Sequence, residues 1–168
     1  IRKIEDSQGR VLYKRENETK KVFAEDTAYL TTDVLKDVVS FGTAKSFDVD
    51  IPLAGKTGTV GKKNCPNNSD AIFCSYTPKE TTVFWVFSDY DDLLSEEITG
   101  SSAPVNLANS YYADIYKNNN AVDFSMPKTV TKLKIDKITL ENSGKILIAN
   151  NYIPKSETTE EIFSIFNM

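Results

Sequence analysis

The chain has 168 residues, 40% of them hydrophobic and 26% charged, which is enough for one domain with a packed core and too apolar for a disordered segment. A net charge of −4 with scattered lysines argues against nucleic-acid binding, which needs clustered Lys and Arg to neutralise phosphates. With no histidine, Ser-His-Asp and Cys-His catalysis are excluded and the commonest zinc ligand is missing, so covalent chemistry here would have to be lysine-based.

Residues 1–14 read as a hairpin, with Asp6-Ser7-Gln8-Gly9 turning between Lys3-Ile4-Glu5 and Arg10-Val11-Leu12-Tyr13. Glu25-Asp26 introduces a helix over 27–41, with Leu30, Val34, Val38 and Phe41 as its apolar stripe and Gly42 as its stop. A connecting run, 43–50, leads to a strand around Lys56-Thr57-Gly58-Thr59. A polar loop over 61–69 follows, then strands over 71–76 and 81–88 joined at Thr77-Pro78-Lys79-Glu80. These three strands are expected as an antiparallel meander. The last of them, apolar on both parities, reads as a central strand covered on both faces.

The stretch Asp89-Tyr90-Asp91-Asp92 is an acidic turn, and 96–103 is a loop. Ser101 or Ser102 caps a helix with Pro104 in its first turn, running to about Lys117 and ended by Asn118-Asn119-Asn120. Its stripe is Val105, Ala108, Tyr112 and Ile115. Beyond Phe124 the composition shifts: strands are expected over 130–135, 137–140 and 145–149, with a turn at Glu141-Asn142-Ser143-Gly144. Thr158-Thr159-Glu160-Glu161 is expected to cap a short helix through 162–166. The fold class is α/β of the α+β type, an antiparallel sheet with helices packed on its faces.

One cluster is built for chemistry. In a strand, Lys56 and Gly58 share one face while Thr57 and Thr59 share the other, so an ammonium, two hydroxyls and backbone N–H groups could converge on one edge. Such donors suit a carboxylate and a developing oxyanion. Gly58 has no side chain, which lets a substrate backbone come close. Cys65 and Cys74, nine apart, have no metal spacing. They could form a disulfide in an oxidising compartment or be two separate thiols; a hairpin turning near Asn67-Asn68 would hold them out of register for a bond.

Lys-Thr-Gly is one of three signatures of active-serine penicillin-recognising enzymes, beside Ser-x-x-Lys and a Ser-x-Asn-like element. Thirteen residues after Thr57 comes Asp70-Ala71-Ile72-Phe73-Cys74-Ser75-Tyr76-Thr77-Pro78, and then Val83-Phe84-Trp85-Val86-Phe87. This series resembles the transpeptidase domain of class A penicillin-binding proteins, where Gly-Lys-Thr-Gly-Thr, Asp-Ala-Trp-Phe-x-Gly-Tyr-Thr-Pro and Val-Trp-Val-Gly follow one another. Ile72 stands where Trp is common, Ser75 where Gly is, and Val60 where a second Thr often follows. The hairpin at 1–14 and the Ala103-Pro104 helix resemble other segments of that domain, and 125–168 resembles its post-catalytic extension.

The resemblance implies an incomplete transpeptidase-like fold, with residues 1–124 the C-terminal portion of the catalytic domain and 125–168 a β-rich extension. The missing part would include the first strand of a five-stranded sheet and a helical lobe, so the surface that meets it should be an exposed apolar patch. It further implies a peptidoglycan D,D-transpeptidase that cross-links stem peptides through a serine acyl-enzyme and is acylated by β-lactams. Lys56 and Thr59 would be catalytic, Lys56 by its charge and Thr59 by its N–H in the oxyanion hole; Thr57, Gly58 and Thr59 would bind substrate. No cofactor or metal is implied.

The only Ser-x-x-Lys is Ser125-Met126-Pro127-Lys128, which lies on the wrong side of Lys-Thr-Gly and carries a proline that spoils the required helical turn. The nucleophile is therefore expected N-terminal to Ile1, and the chain, which begins without Met, signal peptide or membrane span, is expected to be a piece, inactive by itself. The resemblance places its parent on the extracytoplasmic face of the bacterial membrane through an N-terminal anchor. Expected partners are stem peptides, β-lactams and the rest of its own chain. A serine β-lactamase, a β-lactam sensor domain and a non-enzymatic wall-binding module remain alternatives.

Overall fold

The computed structural model describes residues 1–16, 20–88, 92–118 and 121–167. Much of the predicted acidic turn at 89–92 and the end of the Asn118-Asn119-Asn120 run lie outside them. The N-terminal hairpin pairs β1 (Lys3–Glu5) with β2 (Val11–Lys14). Asp6 organises its turn: one carboxylate oxygen accepts the Gln8 and Arg10 amides at 2.9 Å, and Gly9 takes the left-handed conformation at φ 78°.

Helix α1 spans Glu25–Ser40 and reverses at Gly42, whose N–H returns to the Asp37 carbonyl at 3.0 Å. The predicted apolar stripe is rotated. Val34 and Phe41 are exposed, while Thr32 and Val39 face inward. Thr32 is tolerated inside because its hydroxyl bonds the Ala28 carbonyl and the Tyr76 hydroxyl, both at 2.9 Å.

Three strands follow as an antiparallel meander in the order β3 (Ala54–Gly61), β4 (Asn68–Tyr76), β5 (Thr81–Phe87). The register aligns Gly58, Ile72 and Trp85 across the sheet. One face, carrying Phe73, Ser75 and Phe84, is covered by α2 (Ala103–Ile115), and the core forms there around Phe73, Val105, Ala108 and Tyr112. Buried polar groups on this face are matched: the Tyr112 hydroxyl lies 3.1 Å from Ser75 Oγ and 2.7 Å from Thr82 Oγ1. The α2 stripe ends on Tyr116, buried just past the helix, rather than on Ile115, which is half exposed; four-residue steps from Ala108 keep the inward direction and the three-residue step to Ile115 leaves it.

The other sheet face is open. Val60, Cys74, Val83, Trp85 and Phe87 are exposed along it, and among the described residues β5 stands at the edge of the sheet with cover on one face, where its composition suggests a centre covered on both. Alternation explains the one-sided cover: Phe84 alone of the large aromatics on β5 points to α2 while Trp85 and Phe87 stack on each other outside at 4.7 Å. The family resemblance implies an exposed apolar patch, and this face carries one.

The C-terminal region differs most from expectation. Strand β6 (Val130–Asp136) forms, but 137–140 begins helix α3 (Lys137–Ser143) instead of a strand, because Asp136 caps it by accepting from the Ile138 and Thr139 amides and Gly144 closes it at φ 66°. The 145–149 segment makes one bridge, Ile148 to Ile135, rather than a strand. The predicted terminal helix is strand β7 (Thr158–Ser164), paired along all of β6, followed by a 3₁₀ turn. There Thr158, Thr159 and Ile162 favour a strand, and cross-strand pairing outweighs the capping pattern. Ser164 Oγ donates to Asp26 Oδ2 at 2.6 Å, fastening β7 to α1.

Candidate active site

Strand β3 carries Lys56, Thr57, Gly58 and Thr59 on the outside of the sheet, with no strand paired to its second edge among the described residues. Lys56, Gly58 and Thr59 are exposed and Thr57 is half buried. The segment is held from behind. At Gly55 a Cβ would lie 2.7 Å from the Phe73 ring, so the glycine before the lysine lets β3 sit directly on the core.

The loop before α2 presses on the same strand. A Cβ at Gly100 would collide with the Gly58 carbonyl and lie 2.7 Å from both the Gly58 nitrogen and the Ile72 carbonyl oxygen. Those atoms therefore cluster between β3 and β4, which makes Gly58 and Ile72 a pair that exchanges hydrogen bonds. By alternation, the N–H and C=O groups of Thr57 and Thr59 point to the unpaired edge. Lys56 Nζ reaches that edge too, donating to the Thr57 carbonyl at 2.8 Å.

The two hydroxyls sit on the face opposite the Lys56 stem, and each has a partner. Thr57 Oγ1 lies 2.6 Å from Thr43 Oγ1, on the turn after α1, and Thr59 Oγ1 accepts the Gly100 N–H at 2.9 Å. The Gly100 loop is itself pinned. Asn68 Nδ2 donates to the Glu96 and Ile98 carbonyls at 3.2 and 3.0 Å, and Ser102 Oγ accepts the Thr99 amide at 2.9 Å.

An ammonium, two hydroxyls and outward amides thus line one strand, an arrangement suited to a peptide carboxylate and a carbonyl oxygen gaining charge. On the open face, Cys74 stands opposite Lys56 in the register, and Trp85 Nε1 donates to Asp70 at 2.8 Å. Cys65 and Cys74 are free thiols. Ser125 and Lys128 lie in a segment with no helical turn, so they lack the geometry that would bring serine and lysine together.

Residues 1–117 match the family described as the penicillin binding protein transpeptidase domain. The chain belongs to that family. Among curated proteins it is 33% identical over 135 residues to penicillin-binding protein 1F of Bacillus subtilis strain 168, covering 80% of this chain and 19% of that protein. It is 32% identical over 134 residues to penicillin-binding protein 1A of Clostridium acetobutylicum, covering 79% of this chain and 16% of that protein. The chain therefore spans a fifth or less of these relatives. In fold it is similar to the penicillin-binding protein PonA1 of Mycobacterium tuberculosis, with TM-score 0.55 and 21% identity over 76% of this chain and 34% of that one. The same protein in complex with penicillin V gives 0.53 and 19%, over 76% and 34%.

Thr43, Asn68 and Gly100 are absent from the sequence-derived site. Asn68 reads locally as a turn residue and Gly100 as part of a capping loop; their contacts to β3 and the loop behind it are long-range. No short-range pattern signals them. Among the described residues no group of three His, Cys, Asp or Glu side chains could hold a metal ion, and no helix is long and apolar enough to cross a membrane.

Proposed function

We propose that this chain supplies the Lys-Thr-Gly wall of a peptidoglycan D,D-transpeptidase, the serine nucleophile coming from a segment outside these residues. The observation that carries the reading is the β3 edge, where Thr57 and Thr59 turn their backbone groups outward beside the Lys56 ammonium. The serine hydroxyl, its proton taken by a neighbouring base, attacks the penultimate D-alanyl carbonyl of a stem peptide. The carbonyl oxygen gains charge against the Thr59 N–H, the peptide bond breaks, and D-alanine leaves with the proton. An amine of a second stem peptide then attacks the ester and releases the serine.

In this reading Thr57 and Thr59 hold the substrate carboxylate, Gly58 leaves room for its backbone, and Lys56 supplies positive charge. A β-lactam enters the same wall with its carboxylate and stays as a stable acyl-enzyme. The open face of Val83, Trp85 and Phe87 packs against the remainder of the domain. Residues 125–168 form an extension docked on α1; the end of the family match at residue 117 supports that division. The site works on the extracytoplasmic face of the membrane, where the polymer lies.

The test is labelled penicillin with the full-length protein. Wild type should be acylated, and Lys56→Ala should lower the acylation rate about 10²-fold or more, the usual scale for removing one preorganised stabilising group. Equal labelling of the two would refute the role of the wall.

A further inference from the structure

We propose that Thr43 is a positioning residue for this wall, its hydroxyl orienting Thr57 as the Gly100 N–H orients Thr59, so that both hydroxyl protons are left to donate to a substrate carboxylate. The inference rests on the function proposed above and extends it to a residue on a different element, the turn following α1.

The argument is one of donors and acceptors. A hydroxyl has one proton and two lone pairs. Thr59 Oγ1 already receives the Gly100 N–H at 2.9 Å, so one of its lone pairs is occupied and its own proton stays available. Thr57 Oγ1 is 2.6 Å from Thr43 Oγ1, and either oxygen could donate. If Thr57 donated to Thr43, it would turn only lone pairs to an arriving anion and repel it. If Thr43 donates, Thr57 keeps its proton for the anion, and the two O–H dipoles align toward the negative charge. An anion at the wall selects the second arrangement, and a chain of hydroxyls pointing at a charge is polarised and strengthened.

Backbone placement supports the same role. Ala44 N donates to the Val38 carbonyl at 2.9 Å and Phe47 N to the Ala44 carbonyl at 2.9 Å, so the turn that presents Thr43 is fixed on the end of α1 and its Ala44 is buried in the core. Thr43 itself is exposed, and its hydroxyl contact with Thr57 is open to solvent. A rigid turn offering one hydroxyl to another hydroxyl of the wall, the Thr43 side chain making no other hydrogen bond among the described residues, is a second layer of the site.

Saturation kinetics of penicillin acylation in the full-length protein test this, with Thr43→Val removing the hydroxyl at constant shape and Thr43→Ser restoring it. The half-saturation concentration should rise about five- to tenfold in Thr43→Val, the scale of a weakened hydrogen bond to a charged group, with the limiting acylation rate within about twofold of wild type. Thr43→Ser should return to wild type. Unchanged kinetics in Thr43→Val, a parallel loss of both parameters, or failure of Thr43→Ser to rescue would each overturn the role of Thr43. Absence of acylation in wild type would overturn the underlying function as well.

Discussion

Replacing Gly100 by alanine tests whether the loop before α2 is seated on the catalytic strand as closely as the structure has it. The new methyl would collide with the Gly58 carbonyl and lie 2.7 Å from the Gly58 nitrogen and the Ile72 carbonyl oxygen, whereas ordinary contact begins near 3.4 Å, so the loop must lift by more than about 0.7 Å. The sheet cannot yield instead, because both atoms belong to the β3–β4 ladder. Overpacking of this kind costs about 1–3 kcal/mol, and losing the Gly100 N–H bond to Thr59 adds about 1 kcal/mol. A total near 2–4 kcal/mol corresponds to a drop in Tm on the order of 10 °C for a domain of this size. Thermal unfolding followed by circular dichroism is the assay, with penicillin acylation of the full-length protein measured in parallel. A Gly100→Ala protein that melts within about 1 °C of the parent and is acylated at the parent rate would refute the packing argument.

Gly58→Ala should behave in the opposite way. Its Cβ would meet only Ile72 Cβ at 3.9 Å, so stability should hold within about 0.5–1 kcal/mol while acylation falls at least about tenfold, as read from Tm and labelled-penicillin uptake. Tyr112→Phe removes a buried hydroxyl whose partners Ser75 and Thr82 still bond each other at 2.8 Å, so the loss should be modest, about 1–2 kcal/mol by chemical denaturation. The Ser164 hydroxyl, followed by the Thr27 amide, holds the Asp26 carboxyl below its ordinary range. That stabilisation is present above the unfolded carboxylate pKa of about 4 and is lost as pH falls through the lower folded value. Protection of the β6 and β7 amides, taken relative to intrinsic exchange at each pH, should therefore fall at acid pH, and Asp26→Asn should weaken the same docking already at neutral pH.

Legibility in the sequence followed the range of the interactions. Lys56 to Thr59, the meander and both long helices are announced by local spacing, since strand alternation, Pro104 and Gly42 act within a few residues of where they stand. The inward face of α1 is misread because Thr32 goes inside, satisfied by the Ala28 carbonyl and by Tyr76, 44 residues on. The C-terminal region is misread for a related reason: Asp136 outcompetes a strand locally, whereas β7 owes its form to a partner strand beginning 28 residues earlier. The buttress behind the site, Thr43 and Gly100, joins segments 14 and 41 residues from the threonines they touch. Spacing carries no trace of such contacts.

The most direct test of the account is to locate the penicillin adduct by peptide mapping and mass spectrometry of the full-length protein. The account predicts one acylated serine, outside the 168 residues, whose labelling collapses in Lys56→Ala. An adduct on a serine within the chain, Ser125 included, would contradict it.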